Sequence, residues 1–162
     1  MIRHATDRDA DAILAIWNPV IRDTLVTFNA AEKTEAELCA LIAERNAAGH
    51  CFLVAEEAGE ILGFASYGQF RGGIGYRRTM EHTILLGPAA RGRGIGRALM
   101  TAVEDHARAA GAHSIFAGVS GGNPEGRAFH AAIGYREVAV LPEVGSKFGR
   151  LHDLVLMQKI LS

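Results

Sequence analysis

Apolar residues along the first third of the chain keep a helical spacing. Ile13, Leu14, Trp17, Val20 and Ile21 recur on one helical face, and Thr6 or Asp7 ahead of them can cap such a helix. Pro19 interrupts the run. It has no N–H and disfavours helical geometry at Asn18, so a kink or stop is expected there, with residues 22–32 as a loop. Phe28, inside that loop, has no periodic partner. Thr34 and Glu37 form a capping box ahead of Leu38, Leu41, Ile42 and Arg45, which predicts a second helix ending near Gly49. Residues 51–56 and 60–70 are β-rich and meet at Glu57-Ala58-Gly59, a turn suited to an antiparallel hairpin, and residues 79–86 predict another strand.

Helical spacing returns after Gly94, at Ile95, Leu99, Val103, Ala107 and Ala110, and Gly111 ends it. A strand from Ser114 to Val119, a short helix from about Pro124 to Ile133, and strands near 135–141 and 151–160 complete the pattern. With no repeat and no low-complexity segment, this order predicts one α/β domain spanning residues 1–162. A chain of 162 residues that is 49% hydrophobic can bury one core and is short for two.

Charge narrows the partners. The net charge is −1, with 17 basic and 18 acidic residues spread along the chain, so nucleic acid and anionic membranes are not expected and a small ligand is. Cys39 and Cys51 are too few for a disulfide framework or a thiolate zinc site, and His4, His50, His106, His113 and His152 show no metal-ligand spacing, so no metal is expected. Met1 to Asp11 lacks a basic-then-apolar leader pattern and no 18-residue apolar run occurs, which predicts a cytoplasmic protein.

The most informative stretch is Arg91-Gly92-Arg93-Gly94-Ile95-Gly96-Arg97, between a strand ending near Leu86 and a helix starting around Gly94. Its glycines let the backbone approach a ligand and aim N–H groups outward, while the helix N-terminus adds partial positive charge, a combination suited to a pyrophosphate. The glycine spacing of a Rossmann loop and the Gly-Lys-Ser/Thr ending of a P-loop are both absent. Arg91-x-x-Gly94-x-Gly96 at a strand-to-helix turn resembles the coenzyme A loop of the GNAT superfamily of N-acetyltransferases. The likeness spans nearly the whole chain, including Asn123 and the Ile133-Gly134-Tyr135 turn. It implies a mixed, mostly antiparallel α+β sheet flanked by helices on both faces.

Within that superfamily four segments resemble the phosphinothricin and methionine sulfoximine acetyltransferases. They are Ser66-Tyr67-Gly68 with Arg71; Tyr76-Arg77-x-Thr79-x-Glu81-His82; Phe129-His130; and Val144-Gly145-x-Lys147-Phe148-Gly149-Arg150 with Asp153. Leu85 and Leu151 depart from the tyrosine and tryptophan usual in that branch.

The resemblance implies acetyl transfer from acetyl-CoA to the amine of a small amino-acid-like acceptor, pairing of two copies into a homodimer, and particular residue roles. Ile84, Leu85, Leu86, Arg91 to Arg97 and Asn123 would hold acetyl-CoA. Phe28, Arg71, Tyr76, Arg77, Lys147 and Phe148 would surround the acceptor, with the two arginines beside its carboxylate. Glu81, in an apolar-flanked strand that would raise its pKa, is the expected general base, and His130 the expected proton donor to the thiolate.

Other readings compete. The acceptor could be a polyamine, an aminoglycoside or a protein N-terminus, or the chain could sense acetyl-CoA without turnover. Gly118-Val119-Ser120-Gly121-Gly122 also matches the GxSxG elbow of serine hydrolases, with His152 and Asp153 as its only partners in sequence.

Overall fold

In the computed structural model, which describes residues 1–162, the six expected strand segments and a short N-terminal one form seven strands. These are β1 (Ile2–His4), β2 (Phe52–Glu57), β3 (Glu60–Gln69), β4 (Thr79–Leu86), β5 (Ser114–Ser120), β6 (Arg136–Lys147) and β7 (Arg150–Ile160). They form one sheet in the order β1-β2-β3-β4-β5-β7-β6, antiparallel throughout except between β4 and β5. The helical segments become α1 (Ala10–Asp23), α2 (Glu35–Ala47), α3 (Ile95–Ala109) and α4 (Pro124–Ala132). The expected α+β architecture, a mixed sheet with helices on both faces, is observed.

Each face of the sheet buries its own helices. Ile13 of α1 and Leu38 and Ile42 of α2 pack on Phe52, Val54 and Phe64, whose two phenyl rings stack 5.5 Å apart. On the opposite face Leu99, Met100 and Val103 of α3 pack on Tyr67, Ile115 and Met157, with Phe129 of α4 against the same cluster. Side chains alternate along a strand, so β4 divides. Met80 and Ile84 join the α3 side and Leu85 joins the α1/α2 side, and Glu81 and Thr83 share the face of Leu85.

Three elements differ from the sequence expectation. Helix α1 passes through Pro19 to Asp23 instead of stopping. Ile21 beyond the proline is fully buried, and Asn18 exchanges two hydrogen bonds with the backbone of Lys33, at 3.1 and 2.9 Å, so tertiary contacts hold the last turn in place. Strand β1 was too short to register as a period, yet it pairs Ile2, Arg3 and His4 with Ala55, Val54 and Leu53. Strand β6 runs past Pro142 because the ladder is interrupted between Leu141 and Gly145. Glu143 adopts φ 56° there and its N–H donates to Asp153 Oδ1 at 2.9 Å, so the bulge absorbs the proline. No helix is long and apolar enough to cross a membrane.

Candidate active site

The sheet opens at its centre. β4 and β5 pair only over Thr79–His82 and Ser114–Ala117, although β4 runs to Leu86 and β5 to Ser120. Each keeps its outer partner, β3 or β7, to the end. The facing edges beyond His82 and Ala117 therefore carry backbone N–H and C=O groups with no ladder partner. A cleft of about 380 Å³ fills the split, lined by Glu81 to Leu85, Ala117 to Ser120, Asn123 and His130, with Trp17, Val26 to Asn29 and Leu154 closing one side.

Glu81 stands where the two strands part. Its Oε2 lies close above Gly118, where an added Cβ would come within 3.0 Å of it. Burial raises its pKa, and the positive charge of Arg45 on α2 partly opposes that rise. A carboxylate so placed is a stronger base than an ordinary glutamate.

At the other end of the opened strand, Pro88–Ala90 make one 3₁₀ turn and Gly94 caps α3 in the left-handed region at φ 75°. Nothing lies within 4 Å of where a Cβ at Gly94 would sit, and the first turn of α3 carries no acidic residue. The helix start thus presents bare amides and an unneutralised dipole to solvent, the arrangement an anion requires. Arg91 and Arg93 are exposed and reach Glu125 and Glu57, while Arg97 is exposed on the first turn. Ile95 turns its side chain into the core, and Gly96 is buried, since a Cβ there would fall 2.9 Å from the Phe129 ring and 3.2 Å from Leu86.

Residues 15–135 match the Acetyltransferase (GNAT) family. The chain belongs to the GNAT family of acetyltransferases. It is 36% identical to the L-amino acid N-acyltransferase MnaT of Escherichia coli, over 97% of this chain and 91% of that one. It is 38% identical to the L-methionine sulfoximine/L-methionine sulfone acetyltransferase of Pseudomonas aeruginosa, over 97% and 92%. The phosphinothricin acetyltransferase of Sinorhizobium meliloti, solved with acetyl-CoA, superposes with a TM-score of 0.94 at 30% identity, over all of this chain and 88% of that one.

The acetyltransferase fits acetyl-CoA on its own geometry, with an amide cradle at α3 and an unpaired strand edge leading from it to Glu81. Asn123 sits beside that path. It caps α4 by accepting from Gly126 N–H at 3.0 Å and lines the cleft as well. Ile84 and Leu85 also line it, whereas Leu86 packs beneath Gly96.

His130 differs from its expected role. Its Nδ1 can only donate to the Gly126 carbonyl, 2.7 Å away, so in the neutral ring Nε2 accepts from His82 Nε2–H at 2.9 Å. Both nitrogens are committed, and burial lowers the pKa of His130 and, more strongly, of His82. The geometry makes His130 a neutral bridge between α4 and β4 rather than a free acid. His82, the bridge's other half, was not singled out as a site residue.

The acceptor residues are only partly gathered. Phe28 lines the cleft, stacked on His152 at 5.8 Å and pressed against Gly145. Arg71, Tyr76 and Arg77 do not line it. They occupy the exposed β3–β4 connection, where the Arg71 guanidinium lies 5.5 Å from the Tyr76 ring centre and Arg77 borders a separate crevice with His50 and Gln69. Lys147 points inward and is buried, donating to the carbonyls of Thr24 at 2.5 Å and Thr27 at 2.7 Å, while Phe148 is exposed at φ 55° in the β6–β7 turn. Lys147 therefore fastens the loop that carries Val26 to Asn29 instead of meeting the acceptor. Lys147→Met is expected to unpair both carbonyls, lowering stability by about 1–3 kcal/mol and raising the acceptor KM. Thermal melts and steady-state kinetics check this.

Sequence reasoning passed over Trp17, Thr27, Asn29, Thr83 and Leu154 as cleft residues. Thr83 was open to inference, since it lies two positions from Glu81 on the same face; Asn29 carried no signal. The serine hydrolase reading fails. Ser120 is buried with its Oγ accepting from Gly122 N–H at 3.1 Å, and His152 Nε2 bonds the Lys147 carbonyl at 2.9 Å, so His152 is not bonded to the hydroxyl as a catalytic base would be.

Proposed function

We propose that this acetyltransferase moves the acetyl group of acetyl-CoA onto the α-amine of a small amino-acid-like acceptor, by direct attack with both substrates bound. The observation that carries the reading is Glu81, a half-buried carboxylate at the point where β4 and β5 part, joined by an unpaired strand edge to the amide cradle. The acceptor class rests on the relatives, whose names are those of enzymes acting on L-amino acids, methionine sulfoximine and phosphinothricin.

In this reading the pyrophosphate lies on the amides of 92–96 and the pantetheine arm pairs with the free edge of β4. The thioester carbonyl then faces an N–H of Ile84 to Leu86, which stabilises the oxyanion formed on attack. The acceptor comes from the α1/α2 side, past Trp17, Phe28 and Asn29. Glu81, directly or through one water, takes one proton from the ammonium; the free amine nitrogen bonds to the carbonyl carbon, the C–S bond breaks as the oxyanion collapses, and the second proton of that nitrogen passes through water to the thiolate. A thiol pKa of roughly 8.5 makes a dedicated acid dispensable. Arg71, exposed and free of an ion pair, is available to an acceptor carboxylate at the rim. Two copies pair through the apolar surface of β6 and β7, where Val140, Val144 and Leu151 are more than half exposed, and the protein works in the cytoplasm.

The test is thiol release from acetyl-CoA with a panel of amines. Turnover is expected with amino-acid-like amines bearing a carboxylate, and turnover confined to polyamines or aminoglycosides would overturn the acceptor assignment. The pH profile has a defined sign. Because burial raises the pKa of Glu81, the base keeps its proton to a higher pH than an ordinary glutamate. The acid limb of kcat/KM is therefore expected above the usual value of 4.5, with activity falling as pH drops through it.

A further inference from the structure

Gly68 occupies an unusual place. It lies inside β3, directly across the ladder from Glu81, where glycine weakens a strand and gives no side chain to pack. What occupies the space is Arg45. A Cβ at Gly68 would fall 2.1 Å from Arg45 Nη1 and 2.9 Å from its Cζ. The guanidinium, reaching down from the last turn of α2, therefore lies where a side chain of residue 68 would stand. Cross-strand side chains at this register are neighbours, with Cβ atoms about 4.5–5.5 Å apart.

The arginine is not there to make an ion pair with a neighbouring acid. Its buried Nε has no protein partner, which is costly for a guanidinium. Its nearest role is electrostatic. Its positive charge acts on Glu81, where it favours the carboxylate. The other titratable group within its field is His50, whose own pKa is lowered by burial and by Arg45, so His50 stays neutral and adds no second charge. On the far side Glu81 stands over Gly118 and is in register with Phe116; His82 projects to the opposite face.

We propose that Arg45, admitted to the sheet by the missing side chain of Gly68, is a positioning residue for the catalytic base, supplying the positive charge that faces Glu81. Burial pushes the pKa of Glu81 up, toward the protonated form that cannot act as a base. The guanidinium limits that effect while staying out of the cleft, so the carboxylate remains free to meet the acceptor. The proposal rests on Glu81 being the base, as in the function proposed above.

Three variants test it: Arg45→Met removes the charge and keeps an apolar stem, Gly68→Ala keeps the charge and displaces it, and Arg45→Lys restores a cation. The expected result is that Arg45→Met and Gly68→Ala lose about 3–10-fold in kcat/KM on the acid limb, with a plateau at high pH within about 2-fold of the parent, and that Arg45→Lys recovers most of the loss. A parallel NMR titration of the Glu81 carboxyl carbon, which requires no turnover, is expected to show its midpoint raised in Arg45→Met and in Gly68→Ala. Coincident Glu81 titrations in the parent and in a folded Arg45→Met overturn the proposal, whatever the activity does. An effect confined to acceptor KM, and lost when the acceptor lacks a carboxylate, would also overturn it, because Arg45 would then be binding substrate. Absence of thiol release from the parent with every amine defeats the proposed function instead, and the titration still decides the role of Arg45.

Discussion

Glu81→Gln is expected to lower kcat by about 10²–10⁴-fold while leaving acetyl-CoA affinity within about 2-fold. Glutamine keeps the size and the polar contacts of the side chain but cannot take a proton from the acceptor ammonium. Because the residue meets the acceptor side of the sheet and the cofactor path lies along the edge of β4, the two effects separate. The acid limb of the pH profile should vanish with the carboxylate, leaving a residual rate that climbs with the fraction of free amine in solution. Stopped-flow thiol release and calorimetric titration with coenzyme A together read both quantities. Equal losses in turnover and in cofactor affinity would show that Glu81 shapes the cleft rather than moving a proton.

Gly94→Val should have the opposite signature, a loss of acetyl-CoA affinity of roughly 10–100-fold with little change in kcat at saturation. The position requires φ 75°, a region that costs a β-branched residue on the order of 1–3 kcal/mol. The strain can be relieved only by turning the peptide, and that turns away an amide the pyrophosphate needs. Nothing crowds the site, so the fold should survive and the melting temperature in the absence of ligand should fall by only a few degrees. Cofactor affinity that ignores this substitution would remove the cradle from the binding site.

These two residues were legible for different reasons. The cradle could be read because its chemistry is local, with glycines and a helix start adjacent in sequence. Glu81 stood out only as a charge among apolar neighbours on a strand, and the family resemblance gave it a role. Arg45 was named with Leu38, Leu41 and Ile42 only as part of the second helix, and nothing in that spacing tells what its guanidinium would face. That depends on the register that sets Gly68 opposite Glu81. Arg71 and Arg77 failed as cleft residues because their direction is set by a connection holding Gly72, Gly73 and Gly75, whose path no periodicity constrains. Lys147 was placed beside the acceptor by the family resemblance alone; burial of a lysine on backbone carbonyls is rare, and only the fold brings the Thr24 to Thr27 loop, more than a hundred residues away in sequence, within its reach.

The parted strands also bear on handling the protein. Two rows of bare peptide groups at the heart of a sheet are, in effect, sticky seams, able to zip onto any extended segment that finds them. A bound cofactor arm occupies one seam as a guest strand would, and it binds only the folded chain, so it raises the melting temperature in step with its concentration. Stored with its thioester, the enzyme should stay clear in solution under warming that clouds the empty form.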